Sequence, residues 1–193
     1  LPDADLENMD TIFKPENAAK LADCGISILD RPTDIMLMVL KYLGLDGDTT
    51  NVADYDKVVE AFKPVRQYIR TFDNTNYLNA IPNGELCVIN NWSGDYATAK
   101  ARATEAGIEM NLAYYVPKTG APAWADVMCI PVDAPNKDNA YKFLEFLLQP
   151  EVIAACTNFT NYANANKAAN QFVTPEVFAD PAVYPNEETI KRM

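Results

Sequence analysis

The stretch that most restricts the fold is 85–106. Glu85-Leu86-Cys87-Val88-Ile89 is a short apolar run of strand type that breaks at Asn91-Trp92-Ser93-Gly94-Asp95, and an alanine-rich segment then continues to Gly107. A strand, a tight turn and a helix in direct succession begin a unit whose strands pair in parallel beneath their helices. The same order occurs earlier. Residues 26–29 form an expected strand, and Asp30-Arg31-Pro32-Thr33-Asp34 opens a helix over 35–43, with proline near its first position, acids in its first turn and Gly44 as its stop. The chain is therefore α/β. In such sheets ligands sit beyond the carboxyl ends of strands, where turns lead into helices, and 91–95 occupies that kind of position.

Other segments fill in around this frame. Residues 14–21 form an expected short helix starting at a proline, and 54–68 carries Tyr55, Val58, Val59, Phe62 and Val65 at helical spacing, with Pro64 placed to kink or divide it. A short helix is expected over 74–81, and strands over 111–116 and 127–132 flank the Pro- and Gly-rich loop 117–122. An amphipathic helix over 136–148 places Ala140, Phe143, Leu144 and Leu147 on one face, and a second short helix follows Pro150. The proline-bearing tail after Phe172 is expected to wrap, with little core of its own.

Charge and composition exclude whole classes of function. With 27 acidic against 16 basic side chains the formal charge is −11, which repels phosphate backbones and anionic headgroups, so nucleic acid is not an expected partner. That field suits a cationic ligand, although acidity also serves solubility. Histidine is absent, which removes Ser-His-Asp and Cys-His catalysis and the commonest metal ligand; carboxylate-based hydrolysis and oxygen-ligated metals stay open. No apolar run approaches the ~20 residues of a membrane span, and the first ten residues have neither the basic start nor the apolar stretch of a signal peptide. A soluble chain without direct membrane insertion is expected, and a processed secreted protein would equally lack its signal. Cys24, Cys87, Cys129 and Cys156 show no CxxC spacing. Cys24 precedes one expected strand and Cys87 lies in another, so the two either bond across neighbouring strands or remain separate buried thiols.

Two aromatic–acid pairs stand out. Trp92 lies three residues before Asp95 and Trp124 two before Asp126, and these are the only tryptophans in the chain. An alkylammonium rewards a carboxylate beside a flat ring, through cation–π attraction and methylene packing. Asp34 and Asp95 are first-turn acids, which either cap their helices or offset the helix dipole for a cation. Asp126 stands at the mouth of the expected strand 127–132. Tryptophan also serves as a core anchor, and that alternative stays open for both.

The segments 21–27, 83–88, Trp92-Ser93-Gly94-Asp95 and Tyr162-Ala163-Asn164-Ala165-Asn166-Lys167-Ala168-Ala169 resemble the polyamine-binding periplasmic proteins of bacterial ABC importers, closest to the putrescine-type branch. The resemblance implies a periplasmic-binding-protein-like fold (type II, a two-lobed flytrap), here the second lobe plus a returning segment of the first. It implies a second-lobe core over 1–102, a hinge crossing over 103–120, a first-lobe return over 121–148 and a C-terminal segment, 149–193, packing again on the second lobe. It implies ligand contacts at Asp34, Trp92, Asp95, Trp124, Asp126 and Tyr162, with Asp34 one methylene shorter than the Glu common in relatives and so suited to a water-mediated contact. It also implies a Cys24–Cys87 disulfide with Cys129 and Cys156 free, an extracytoplasmic home, a monomer that delivers a small cationic polyamine to ABC permease subunits, and no catalysis, cofactor or metal. Arg31, where spermidine-preferring relatives can carry an acid, leans the expectation toward putrescine. Two alternatives remain beside it: a glycoside hydrolase using Asp95 and Asp126 as its carboxylate pair, and a polyamine-sensing receptor or scaffold.

Overall fold

The structure is a computed structural model in which residues 6–193 are described; residues 1–5, at the start of the expected segment 1–102, lie outside the described residues. The chain divides into two compact units, Leu1–Pro122 with Asn186–Met193, and Ala123–Pro185.

The first unit is built on three strands, β1 (Ile26–Ile28), β2 (Ile69–Phe72) and β3 (Val88–Ile89), in the order β2-β1-β3, with both pairings parallel. All of β1 is buried, as a central parallel strand covered on both faces must be. Parallel neighbours require crossovers, and helices supply them. After α1 (Asp10–Phe13) and α2 (Pro15–Leu21), the chain passes from β1 through α3 (Pro32–Tyr42) and α4 (Val52–Phe62) to β2, then through α5 (Tyr77–Ala80) to β3 and into α6 (Ser93–Glu105).

Local chemistry sets the helix ends. Pro32 sits in the first turn of α3, where its missing N–H costs nothing, and Asn51 caps α4 by accepting the Ala53 N–H at 3.2 Å. α6 closes with Gly107 at φ +68°: the Ile108 N–H reaches Ala103 O at 2.8 Å and the Gly107 N–H reaches Thr104 O at 3.0 Å, the paired bonds of a left-handed helix stop. The core gathers Ile26 and Ile28 of β1, Val39 and Leu40 of α3, Val58 of α4, Val65, and Tyr77 of α5. Phe13 meets Phe62 edge-on, with ring centroids 5.0 Å apart.

At the amino edge of the sheet, Cys24 and Cys87 form a disulfide with Cα atoms 5.6 Å apart. Cys24 precedes β1 and Cys87 precedes β3, and the Cys87 N–H donates to Gly25 O at 3.1 Å. Gly25 has φ +95°, and a Cβ there would meet Glu85 O at 2.8 Å and the Arg70 guanidinium at 2.7 Å. The guanidinium donates to Glu85 O and to Asp23 O, tying β2 to this edge.

Three elements depart from the sequence reading. The expected helix 54–68 ends at Phe62, because Pro64 cannot continue it, and a tight turn at Arg66–Tyr68 leads into β2. The segments 111–116 and 127–132 belong to no ladder. A strand exists only against a partner, and none of the described residues pairs with either; Val127 and Val132 are 79% and 88% exposed.

The second unit contains α7 (Lys137–Leu147), α8 (Pro150–Thr160) and α9 (Pro175–Phe178). α8 buries Ala154 and Thr157 and packs with Ala169 and Val173, the small core of this unit. α7 buries no residue: of its expected apolar face, Ala140, Leu144 and Leu147 are half-buried, while Phe143 is exposed. The tail after Phe172 contributes Val173, Ala182 and Val183 to buried positions, more core than its prolines foretell. α10 (Glu187–Ile190) groups with the first unit, where Lys41 Nζ donates to Arg192 O at 3.0 Å. Of the expected C-terminal segment 149–193, residues 149–185 thus group with 123–148, and only Asn186–Met193 with the first unit.

Candidate ligand-binding site

Because all three strands are parallel, their carboxyl ends share one edge of the first unit, and each strand leads from that edge into a helix. β1 runs through Asp30 to Asp34 in the first turn of α3, β2 through Asp73 to Tyr77 of α5, and β3 through Asn90 and Trp92 to Asp95 in the first turn of α6. Backbone bonds lock the three turns to one another: the Asp73 N–H donates to Ile28 O at 3.0 Å and the Asn90 N–H to Ser27 O at 3.0 Å. Asn74 Nδ2 adds a bond to Asp30 O at 3.2 Å. The structure thereby places Asp34, Trp92 and Asp95 on one edge, opposite the disulfide.

The side chains at this edge divide by what holds them. Asp73 is spent on the fold, accepting the N–H groups of Thr75 and Tyr77, each at 3.2 Å, and an amide proton of Asn76. Asp34 accepts the Thr33 hydroxyl at 3.0 Å. Trp92 forms the N-cap of α6 and is half-buried, packing in part against the core. Asp95, also half-buried, accepts a hydrogen bond from the phenol of Tyr77. Helix N-termini ordinarily draw anions; an edge that instead carries carboxylates at two of them is suited to a cation.

Tyr77 escaped the sequence reading. It fell inside the expected helix 74–81, and its partnership with Asp95 depends on β2, which lies in the stretch 69–73 that the sequence reading left unassigned.

In the second unit, Trp124 is 52% exposed and Asp126 is exposed in a segment without helix or strand. Asp126 is therefore not at the mouth of a strand, since 127–132 has no ladder partner among the described residues. Tyr162 follows α8 directly after Asn161, which takes the left-handed conformation at φ 56°. The segment beginning at Tyr162 is held by local hydrogen bonds. Asn164 Nδ2 donates to Thr157 Oγ1 at 2.9 Å, while Asn166 accepts the Ala168 N–H at 3.0 Å and donates to Leu148 O at 2.8 Å. These asparagines shape the turn on which Tyr162 is mounted. Cys129 and Cys156 are free and exposed.

Shifted proton affinities occur elsewhere. Burial and the hydrogen bond to Asp10 push the Tyr42 phenol up to about 12, and burial alone pushes Tyr114 up to about 12. The Asp10 carboxyl is held below its usual range, first by its hydrogen bond to Lys14 and then by Tyr42. No helix among the described residues is long and apolar enough to cross a membrane.

Comparison with known proteins places this geometry. Residues 1–185 match the family model of bacterial extracellular solute-binding proteins. The chain is 43% identical over 183 residues to the putrescine-binding periplasmic protein PotF of Escherichia coli K12, covering 94% of this chain and 50% of that protein. It is 39% identical over 190 residues to the putrescine-binding periplasmic protein SpuD of Pseudomonas aeruginosa, covering 98% and 52%. The chain thus spans about half the length of the curated relatives it matches. Among solved structures, the spermidine/putrescine ABC transporter substrate-binding protein PotD of Streptococcus pneumoniae superposes with a TM-score of 0.79 at 23% identity, covering 98% of this chain and 55% of that one, and it supports the α/β binding-protein fold.

Proposed function

We propose, from the premise that this chain belongs to the bacterial extracellular solute-binding protein family, that it captures small polyamines, putrescine foremost and spermidine second, in the periplasm. It acts as a monomer and hands its ligand to the permease subunits of an ABC importer. The observation that carries this reading is the carboxyl edge of the β2-β1-β3 sheet, where Asp34 and Asp95 stand at helix N-termini beside Trp92. An anionic ligand such as phosphate would want those termini bare; a diamine wants them charged.

In this reading Asp95 and Asp126 bind the terminal ammoniums, Trp92, Trp124 and Tyr162 provide aromatic walls, and Asp34 makes a polar or water-bridged contact. No bond is made or broken. The matched relatives are named as binding proteins, which favours this reading over the hydrolase alternative. Residues 1–102 are assigned to the second lobe, 103–120 to the crossing, 121–148 to the return into the first lobe and 149–193 to the C-terminal segment. Of the last of these, Asn186–Met193 groups with the first unit, whereas 149–185 groups with 123–148. The uncovered apolar side chains Val127, Val132 and Phe143 fit a first lobe completed by chain of the kind that the relatives carry in their other half.

A thermal-shift panel on the full-length protein tests the class of ligand. Diamines and triamines should raise the melting temperature, while amino acids and sugars leave it unchanged. Stabilisation by a sugar alone would replace this reading with the carbohydrate one.

A further inference from the structure

Tyr77 opens α5 and is completely buried, with 0% of its surface exposed. Its ring belongs to the core of the first unit, and its phenol O–H donates to Asp95 Oδ2. The residue is fixed at its backbone as well. Its N–H donates to Asp73 Oδ2 at 3.2 Å, and the Asp73 N–H donates in turn to Ile28 O at 3.0 Å, at the end of the central strand. A chain of hydrogen bonds therefore runs from β1 through Asp73 and Tyr77 to Asp95.

A carboxylate in the first turn of a helix can rotate about both of its side-chain torsions, and an ammonium that captures it must freeze that rotation. A phenol held rigidly in the core removes the freedom beforehand. We propose that Tyr77 is a positioning residue for polyamine capture: its buried phenol sets the plane of the Asp95 carboxylate so that the carboxylate meets an ammonium already oriented. The inference rests on the reading of Asp95 as an ammonium contact. Asp34, on the same edge, accepts instead from the exposed hydroxyl of Thr33. Asp34 and Asp95 thus differ in what holds them, and Asp95 is the one bonded to a core side chain.

The test is calorimetric titration of putrescine into the full-length protein carrying Tyr77→Phe, Asp95→Asn or both. Tyr77→Phe removes one oxygen and keeps the ring, and affinity should fall by up to about tenfold, the scale of what immobilising one side chain on binding costs. Asp95→Asn should weaken binding as well. The double variant should bind no worse than Asp95→Asn alone, because Tyr77 acts only through the carboxylate. Wild-type affinity in Tyr77→Phe, or additive losses in the double variant, overturns the inference and leaves Asp95 standing. Wild-type affinity in Asp95→Asn overturns the underlying reading together with the inference. If circular dichroism shows that Tyr77→Phe does not fold, the ring-labelled wild-type protein supplies the answer. The Tyr77 Cζ resonance should move when putrescine saturates the site, and a resonance indifferent to putrescine overturns the proposal.

Discussion

A single carboxylate can serve the fold, the ligand or both, and its partners tell which. Asp10 serves the fold: it accepts the Tyr42 phenol at 2.8 Å and pairs with Lys14 at 2.6 Å, and these lower its proton affinity. A group whose folded pKa is depressed adds stability above its unfolded pKa and loses it as pH falls through the folded value. Asp10→Asn should therefore lower stability by at most about 1 kcal/mol at pH 7, since the pair is partly solvated. Urea melts should show that difference shrinking as pH drops below the ordinary carboxylate range; a difference constant with pH would deny Asp10 this role. Asp126 serves the ligand in our reading, being exposed in unpaired chain. Asp126→Asn in the full-length protein should weaken putrescine binding by at least ~2 kcal/mol, because it leaves an ammonium without its counter-charge. Asp138→Asn, which removes the same charge from the exposed first turn of α7, is the control. Thr33→Ala does not qualify as one, since Thr33 donates to Asp34. Equal losses from Asp126→Asn and Asp138→Asn would reduce the effect to net charge.

Elements with their own punctuation were legible before any coordinates. Pro32 and Gly44 bracket α3, and the 85–106 run gives β3 and α6 in order, although β3 shrinks to Val88–Ile89 and α6 starts at Ser93, inside the expected turn. β2 was not legible: among Ile69-Arg70-Thr71-Phe72 only Ile69 is buried, so its pattern carries no apolar signal, and it followed a segment at helical spacing. Segments 111–116 and 127–132 failed in the opposite sense, because strand-like composition does not make a strand without a neighbour. The site divided along the same line. Asp34, Trp92 and Asp95 were found from turns and helix starts, whereas Tyr77 was hidden because it depends on β2. The disulfide closes a separation of 63 residues, stabilising by ~4 kcal/mol on the chain-entropy account, and its residue-level alternatives were resolved only by resemblance. Punctuation itself can be tested at Gly107. A Cβ there meets nothing within 4 Å, so Gly107→Ala costs only the left-handed backbone, about 1 kcal/mol. Chemical denaturation should show that loss with putrescine affinity unchanged. A loss several times larger would mean that the end of α6 is held by packing instead.

For the molecule as a whole, the account holds that a strongly hydrated diamine is bound tightly only when water is excluded and both lobes of the full-length protein supply partners. The chain spans about half the length of its relatives, and the carboxylates and rings it offers are half-buried or exposed. Exposed ion pairs contribute ~0–1 kcal/mol each, and a ring touched from one side ~0.5–1 kcal/mol, against the entropy of capture. The measurement that tests this most directly is a calorimetric titration of putrescine into the full-length protein and into the 193-residue chain at matched ionic strength. The account predicts micromolar or tighter binding by the former and no better than millimolar binding by the latter. Micromolar binding by the 193-residue chain, or no saturable binding by the full-length protein, would contradict it.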